Sequence, residues 1–523
     1  MRSISVAIIL SGALHLSCAI GGGGERAPGY GTTRTFDVDY SDPVAPVKAF
    51  NGLDGGPPSA SAVGSGWALN YQQHGMGLAR TPRGSGCGFT LDAVCPNPAE
   101  SADIEPLCAY GFNTLDRQVS DLFQLGMLVV WQAMFDVGAG ACEPRDGIEV
   151  ATRTVMDPEV WPVVVSRVLG HLRTLGRLPQ YVEFLPDATG IGGYGANQTF
   201  QVMNLYDAFI ERLRQDFPDD DKGKRAFSVL APSFAVRGLD DLTDPKASVG
   251  AFIDHVSTRP GRQPDIVSLI TTAPTPDGRL ELWRAARDSL DGAGMASVGL
   301  AEMGPLIDET VWSSLSDRLD TRKARSAFYA ARLTAAGILG QDVLDMMVAD
   351  RRSGPRSSAQ AVAGEDLFFG EDGAALPALS AAMPWYLMNS RHAVRLGARL
   401  RGSDGPSDGE GMVVMGAKAG DSEVMLLIAA SGANKVGDVM TFQIELEGLP
   451  AWAVSAQLSR AVVDRNTSAF AFIEKEDVEV RDGALFISRE VGVPSINYLD
   501  LILKEADMAG ADAFVKDTDT AGE

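Results

Sequence analysis

The sequence is poor in positive charge, histidine and cysteine, and the first two shortages argue against particular classes of function. Its 523 residues include 45 Lys and Arg against 68 Asp and Glu, so the formal net charge is −23. Nucleic acid and anionic membrane surfaces require a basic patch, so we expect neither as a partner. The histidines are scattered without the spacing of metal ligands. No Gly-rich turn joins an early strand directly to a helix, which argues against an open sheet that binds nucleotides.

Long apolar runs are also missing, except at the N-terminus. Arg2 precedes an apolar run from Val6 to Leu14, and small residues follow, which predicts an export signal over residues 1–19 with cleavage after Ala19. The alternative is lipid attachment at Cys18, because the Gly21–Gly24 run resembles a lipoprotein tether. We therefore expect a secreted, periplasmic or cell-surface protein. No other apolar stretch is long enough to span a bilayer.

Apart from Cys18, the cysteines are confined to one region of the chain. They are Cys87, Cys95, Cys108 and Cys142. An even number in an exported protein predicts two disulfides, whose pairing the sequence leaves open. The alternative is a metal site, but the close CxxC pairs that zinc favours are absent.

The order of hydrophobic patterns predicts two domains. From residue 46 to 399, apolar strands alternate with amphipathic helices about eight times, which favours a (β/α)8 TIM barrel, an α/β fold. From 400 to 506, short alternating runs such as Phe442, Ile444 and Leu446 predict an all-β sandwich as an accessory domain. Residues 20–45 read as a linker and a lone strand, and residues 507–523 as an acidic disordered tail.

Two carboxylates follow predicted barrel strands. Asp187 comes after strand four and the break at Pro186, and Glu302 comes directly after strand seven. Barrel enzymes place catalytic groups at the C-terminal ends of their strands, and strands four and seven lie roughly across the mouth from each other. Glycoside cleavage uses one carboxylic acid to protonate the leaving oxygen and one carboxylate at the anomeric carbon. The alternative for each residue is a side chain that only caps a loop.

Other side chains near predicted strand ends are candidates for contact with a sugar. Arg80 ends the second strand, Trp131 and Gln132 lie near the end of the third, and Tyr194 follows the fourth. An aromatic ring in such a position can stack on a sugar ring. Packing in the core is the alternative for each of them.

The chain resembles family 39 glycoside hydrolases, the β-xylosidase and α-L-iduronidase type, over most of residues 33–505. The matching segments occur in the same order as in the family; they are Gly77–Arg80, Tyr110–Asp116, Tyr181–Glu183, Leu205–Phe209, Pro264–Ser268, Gly299–Glu302 and Gly448–Pro450. The resemblance implies Glu302 as nucleophile, Asp187 as acid/base, and Arg80 orienting Glu302 or the substrate. It also implies that the N-terminal strand joins the β-sandwich and that the cysteines brace loops at the rim of the site.

The chain departs from the family in the active site. Where the family has Asn-Glu-Pro on strand four, this chain has Pro186, Asp187 and Ala188. Asp is one methylene shorter than Glu, so its carboxyl lies roughly 1–1.5 Å further back, and a displacement of that order can cost about 100-fold in rate. Pro82 replaces one family histidine, and the strand-six histidine falls at Ile270 or Thr271.

Two hypotheses follow. The first is an exported glycoside hydrolase that cleaves an oligo- or polysaccharide by a two-carboxylate retaining mechanism, which needs no cofactor because water and two carboxyl groups suffice. The second is a non-catalytic relative that binds glycan or a protein partner through the same face of the barrel.

Overall fold

The computed structural model of the chain describes residues 33–54, 71, 73–81, 112–133, 158–159, 161–184, 196–244, 248–304, 306–307, 309–315, 317–350, 367–370, 374–403, 405–407, 411–467 and 469–505. Within them, no helix is both long enough and apolar enough to cross a lipid bilayer.

Eight parallel strands close into a barrel. The strands in this part of the chain are β1 Thr33–Pro46, β2 Gly52–Asp54, β3 Leu78–Arg80, β4 Leu128–Ala133, β5 Tyr181–Phe184, β6 Ser228–Val236, β7 Ile266–Ala273, β8 Gly299–Met303, β9 Leu306–Ile307 and β10 Met346–Asp350. Strands β2 to β8 pair in sequence order, and β10 pairs with both β8 and β2, which closes the ring. Strand β9 pairs with the end of β7 beyond the ring. The predicted (β/α)8 barrel is confirmed.

Helices follow most of the barrel strands and cover the outside of the ring. They are α1 Asn113–Gln124, α2 Trp161–Thr174, α3 Ala196–Asp216, α4 Asp240–Thr243, α5 Ser248–Ser257, α6 Pro276–Gly292, α7 Glu309–Ser314, α8 Arg322–Gly340, α9 Pro377–Ser380 and α10 Met383–Ser390. The start of α6 is fixed by its sequence: the Thr275 hydroxyl accepts a hydrogen bond from the Gly278 amide at 3.0 Å, and proline occupies the first turn.

Successive side chains of each barrel strand point alternately into the ring and out toward the helices. The inner side chains form one apolar cluster; it consists of Leu78, Val130, Leu230, Ile266, Ile270, Ala301, Met303, Met346 and Val348. The outer side chains, such as Trp131, Val182 and Leu300, belong to a separate and larger core that they share with the helices. Membership of one cluster or the other therefore reports which way a strand residue faces.

The C-terminal part of the chain forms a mostly antiparallel sheet that also contains the N-terminal strand. Its further strands are β11 Val394–Leu400, β12 Met412–Ala419, β13 Glu423–Ala430, β14 Val439–Glu447, β15 Ala453–Asp464, β16 Phe472–Glu479, β17 Leu485–Gly492 and β18 Ser495–Glu505. The order is β16-β15-β18-β13-β12-β11-β1-β14-β17. Strand β1 lies between β11, antiparallel to it, and β14, parallel to it.

This sheet folds over on itself, so its two halves enclose a core as in a β-sandwich. Phe36 from β1, Leu426 from β13 and Phe442 from β14 are all fully buried in that core. The opposite face of β12 and β13 contributes Met415 and Leu427 to the large core around the barrel helices. The predicted β-sandwich after the barrel is confirmed.

The two end strands of the sheet, β16 and β17, meet through charged side chains. Arg489 on β17 forms ion pairs with Glu474 and Glu476 on β16, the first at 2.9 Å. Arg460 on β15 contacts Glu474 at 3.2 Å and donates to the Glu490 carbonyl at 3.2 Å. We call this set of contacts the ionic seam.

Candidate active site

A buried polar network occupies the inner face of the barrel near the C-terminal ends of its strands. Arg80, the last residue of β3, donates two hydrogen bonds of 2.6 Å to the carboxylate of Glu183 on β5. Both side chains are fully buried. Ser233 on β6 donates to Glu183 and lies 3.2 Å from Arg80 Nη2. This bidentate geometry suits the planar guanidinium of Arg80 and fixes the orientation of both Arg80 and Glu183.

Gln132 extends the network onto β4. With its amide oriented to satisfy both atoms, the oxygen accepts from Arg80 Nε at 2.6 Å and the nitrogen donates to the Thr81 carbonyl at 3.0 Å. The side chain is almost fully buried, at 4% exposure. Gln132 thus faces the inside of the barrel, where the sequence predicted a substrate contact, and it braces the Arg80 side chain there.

Glu302 lies on the other side of the sheet. Its neighbours in β8, Ala301 and Met303, belong to the inner cluster, so the Glu302 side chain points outward to the helices. Its carboxylate accepts from the Thr271 amide at 2.8 Å, the Thr271 hydroxyl at 2.9 Å and the Trp283 indole N–H at 2.7 Å. The residue is fully buried. The inner position at the tip of β8 is occupied by the thioether of Met303.

The electrostatics of Glu302 are set by burial and by one buried cation. Burial raises the pKa of Glu302, and the charge of Arg279 together with the hydrogen bonds from Thr271 and Trp283 opposes that rise. Burial also lowers the pKa of Arg279 from its usual value. All of these groups lie behind β8, on the helix side.

The structure separates residues that the sequence had placed at one site. The predicted role of Arg80 was to orient Glu302 or the substrate, but its guanidinium is bound to Glu183 inside the ring, whereas Glu302 is outside. Trp131 was a candidate for stacking on sugar, but it lies between the inward-facing Val130 and Gln132 and is buried at 1% exposure in the outer core. Its ring fills space between strand and helices.

Several predicted residues lie outside the described residues. These are the acid/base candidate Asp187, the aromatic Tyr194, the possible lipidation site Cys18, and the four cysteines Cys87, Cys95, Cys108 and Cys142. Their predicted roles stay predictions. Among the residues that are described, no group of three or more His, Cys, Asp or Glu side chains is placed to hold a metal ion.

Sequence reasoning missed Glu183 and the partners of Glu302. Glu183 is part of the segment Tyr181–Glu183 that resembles the family, but it had no assigned role. The signal was available: Glu183 is an acidic residue within an otherwise apolar strand, and Arg80 holds a similar place in β3. Trp283 lies within α6, and nothing local to that helix indicates that its N–H reaches a carboxylate on β8.

Solved structures with a similar fold include glycoside hydrolases. A glucosidase from Croceicoccus marinus aligns with a TM-score of 0.63 at 15% identity, over 90% of this chain and 99% of that one. A monomeric beta-xylosidase from Caulobacter crescentus CB15 aligns with a TM-score of 0.62 at 14% identity, over 90% and 99% of the two chains. The GH39 enzyme from Xanthomonas axonopodis pv. citri aligns with a TM-score of 0.61 at 14% identity, over 90% and 97%.

No protein-family profile matches the chain, and no curated protein matches it. At identities this low, the likeness to solved structures concerns the fold. It confirms the resemblance to family 39 glycoside hydrolases at that level and leaves the chemistry to be argued from the residues.

Proposed function

We propose that this chain, which has the barrel-and-sandwich fold of family 39 glycoside hydrolases, binds glycan at the mouth of its barrel without hydrolysing it. The fold supports a carbohydrate ligand, because its solved neighbours include a glucosidase and a beta-xylosidase. The formal net charge of −23 supports a ligand other than nucleic acid.

One observation favours binding over hydrolysis. At the C-terminal end of β8, the side chain of Met303, and not that of Glu302, points toward the inside of the barrel. A retaining mechanism needs a carboxylate that can attack the anomeric carbon in the cleft. Glu302 is fully buried on the helix side, and all its described hydrogen bonds go to Thr271 and Trp283. A thioether cannot replace the carboxylate in that role.

The inward-facing carboxylate, Glu183, is also unsuited to proton transfer. Its two oxygens accept hydrogen bonds from Arg80, and Ser233 donates to one of them. A carboxylate held by a guanidinium in this way is stabilised as the anion, so it is a poor general acid. We assign Glu183 and Arg80 to the floor of the mouth, where they fix the ends of β3 and β5.

Retaining hydrolysis is the second candidate function, with Glu302 as nucleophile and Asp187 as acid/base. It is favoured by the position of Glu302 at the C-terminal end of β8 in a fold shared with glycosidases. In this mechanism Glu302 must leave its contacts behind β8 and enter the mouth.

The two candidates are separated by measuring binding and turnover on the same full-length preparation. Affinity electrophoresis in gels containing xylan or β-glucan reports binding, and release of nitrophenol from aryl β-xyloside and aryl glucoside reports turnover. We expect retarded migration in at least one gel and no release above the rate without protein. The variants are Asp187→Asn and Glu302→Gln, with Asp219→Asn, an exposed carboxylate between the end of α3 and the start of β6, as the matched control.

Turnover that is lost in Asp187→Asn and in Glu302→Gln but kept in Asp219→Asn would overturn the binding proposal in favour of hydrolysis. If the protein neither binds any of the polysaccharides nor releases nitrophenol from any of the aryl glycosides, the proposal of a carbohydrate ligand is refuted.

We also propose that the protein is exported and that Cys87, Cys95, Cys108 and Cys142 form two disulfides. The support is the N-terminal pattern of charge, apolar run and small residues, together with the even number of cysteines. N-terminal sequencing of protein from the extracellular or periplasmic fraction should begin at Ile20. A lipid-modified N-terminus at Cys18 would replace this cleavage site with the alternative, and an intact Met1 would contradict export.

A further inference from the structure

Three charged side chains are buried together behind β8. Glu302 is fully buried, Arg279 of α6 is 5% exposed and Arg332 of α8 is 7% exposed. Charged side chains are seldom buried to this extent unless they compensate one another. We call these residues the buried charge triad.

Glu302 connects β8 to both β7 and α6. Thr271 on β7 donates to it through the amide and the hydroxyl, and Trp283 donates through the indole N–H. Arg279 precedes Trp283 by four residues, so both lie on the same face of α6. An amide and an indole can only donate, and a set of donors favours the ionised carboxylate, which only accepts.

Arg332 connects the triad to the rim of the mouth. Its Nη2 donates to the carbonyl of Pro274, and its guanidinium lies 5.3 Å from the centre of the Phe328 ring. Pro274 and Thr275 join the C-terminal end of β7 to the start of α6, so they lie at the catalytic face of the barrel fold.

The two arginines repel each other in this buried layer. Burial, together with the charge of Arg279, lowers the pKa of Arg332 to about 10. Glu302 provides the negative charge within the triad, and its attraction to Arg279 offsets part of the cost of burying two guanidinium groups. Its removal should therefore loosen the contacts made by both arginines.

We propose that Glu302 is a positioning residue whose negative charge holds Arg279 and Arg332 in place and thereby fixes the rim segment 274–278 at the mouth. The segment is tied from two further sides: Thr275 caps α6, and Ser407 donates to Asp277 at 3.1 Å. The inference rests on the proposed function only in that the mouth is where glycan would bind.

Hydrogen exchange measured by mass spectrometry on the full-length chain tests the proposal without any ligand. In Glu302→Gln, which keeps the shape but removes the charge, amides in 272–278 should exchange at least about tenfold faster, while β13 exchanges as in the parent. The double variant Glu302→Gln with Arg279→Met restores the parental charge of the triad. Its exchange in 272–278 should return to within about threefold of the parent.

Three results would overturn the proposal. Unchanged exchange in Glu302→Gln would mean that Glu302 is uncharged in the folded chain or does not hold the rim. Faster exchange in the double variant than in the single variant would remove the role of charge balance. A uniform increase over the whole barrel would reduce Glu302 to an ordinary core residue. The exchange experiment contains no glycan. Its results can therefore be interpreted even if the protein turns out not to bind glycan.

Discussion

Breaking the Arg80–Glu183 pair should cost much more stability than removing it as a unit. The pair is fully buried and joined by two hydrogen bonds of 2.6 Å. Two unit charges about 4 Å apart attract with roughly 4 kcal/mol at an effective dielectric constant of about 20. Glu183→Gln leaves the guanidinium buried without its counter-charge, so we expect a loss of about 3–5 kcal/mol in the free energy of unfolding.

The double variant Arg80→Met with Glu183→Gln removes both charges. Because desolvation of the charges is then avoided, we expect it to cost no more than about 2 kcal/mol, well below the sum of the single losses. Urea unfolding followed by the fluorescence of the buried barrel tryptophans measures these differences. Asp291→Asn, which breaks a half-exposed ion pair with Arg287 on α6, is the matched control and should cost less than about 1 kcal/mol.

Either of two outcomes would refute this reasoning. A loss below about 1 kcal/mol in Glu183→Gln would show that the buried guanidinium does not need its partner. Single losses that simply add in the double variant would show that the two residues do not interact energetically.

Two further predictions concern positions where packing and charge can be tested separately. Burial acts to raise the pKa of Asp216, but hydrogen bonds from Ser166 and Arg212 outweigh it and hold the pKa below the usual 3.8. The stability from this carboxylate is therefore present above pH 3.8 and is lost as the pH falls through the lower folded value, and acid titration of Asp216→Asn should lack that loss. Trp131→Ala should cost about 3–5 kcal/mol by opening a cavity in the outer core, and Gln132→Ala about 1–3 kcal/mol by leaving Arg80 and Thr81 with fewer partners. Urea midpoints that rank the two the other way would contradict the assignment of Trp131 to packing.

The fold was predictable because its strands and helices repeat with clear periods. In β14, Phe442, Ile444 and Leu446 alternate with polar residues, and these three side chains do fill the sandwich core. The alternation of apolar strands with amphipathic helices likewise predicted the barrel. Such patterns are local, so a single sequence contains them.

The direction of each side chain in the barrel strands was not predictable in the same way. Strand β8 reads Gly-Leu-Ala-Glu-Met, with apolar residues on both sides of Glu302, because parallel strands of a barrel are buried on both faces. Without alternation, a shift of one position exchanges the inner and outer faces. This is why Glu302 and Trp131 looked suited to the mouth but lie behind the sheet.

Long-range partners were also beyond the reach of the sequence. Arg80 and Glu183 are 103 positions apart, and Glu302 and Thr271 are 31 apart. Each segment alone is compatible with several partners, and only closure of the ring selects one. For Arg80, Glu302 and Trp131, the sequence therefore predicted the strands but not the contacts that their side chains make.

The ionic seam between β16 and β17 makes the ends of the sandwich sheet sensitive to the medium. Unpaired edge strands can recruit strands from other molecules, and charged side chains along them discourage this association. Here Arg489 on β17 pairs with Glu474 and Glu476 on β16. Arg460 on β15 contacts both Glu474 and the Glu490 carbonyl of β17, so these contacts direct the two edges toward each other. Dissolved salt screens partly exposed ion pairs, so β16 and β17 should separate more readily at high than at low ionic strength. The ionic strength of the medium would then determine how well the sandwich resists self-association.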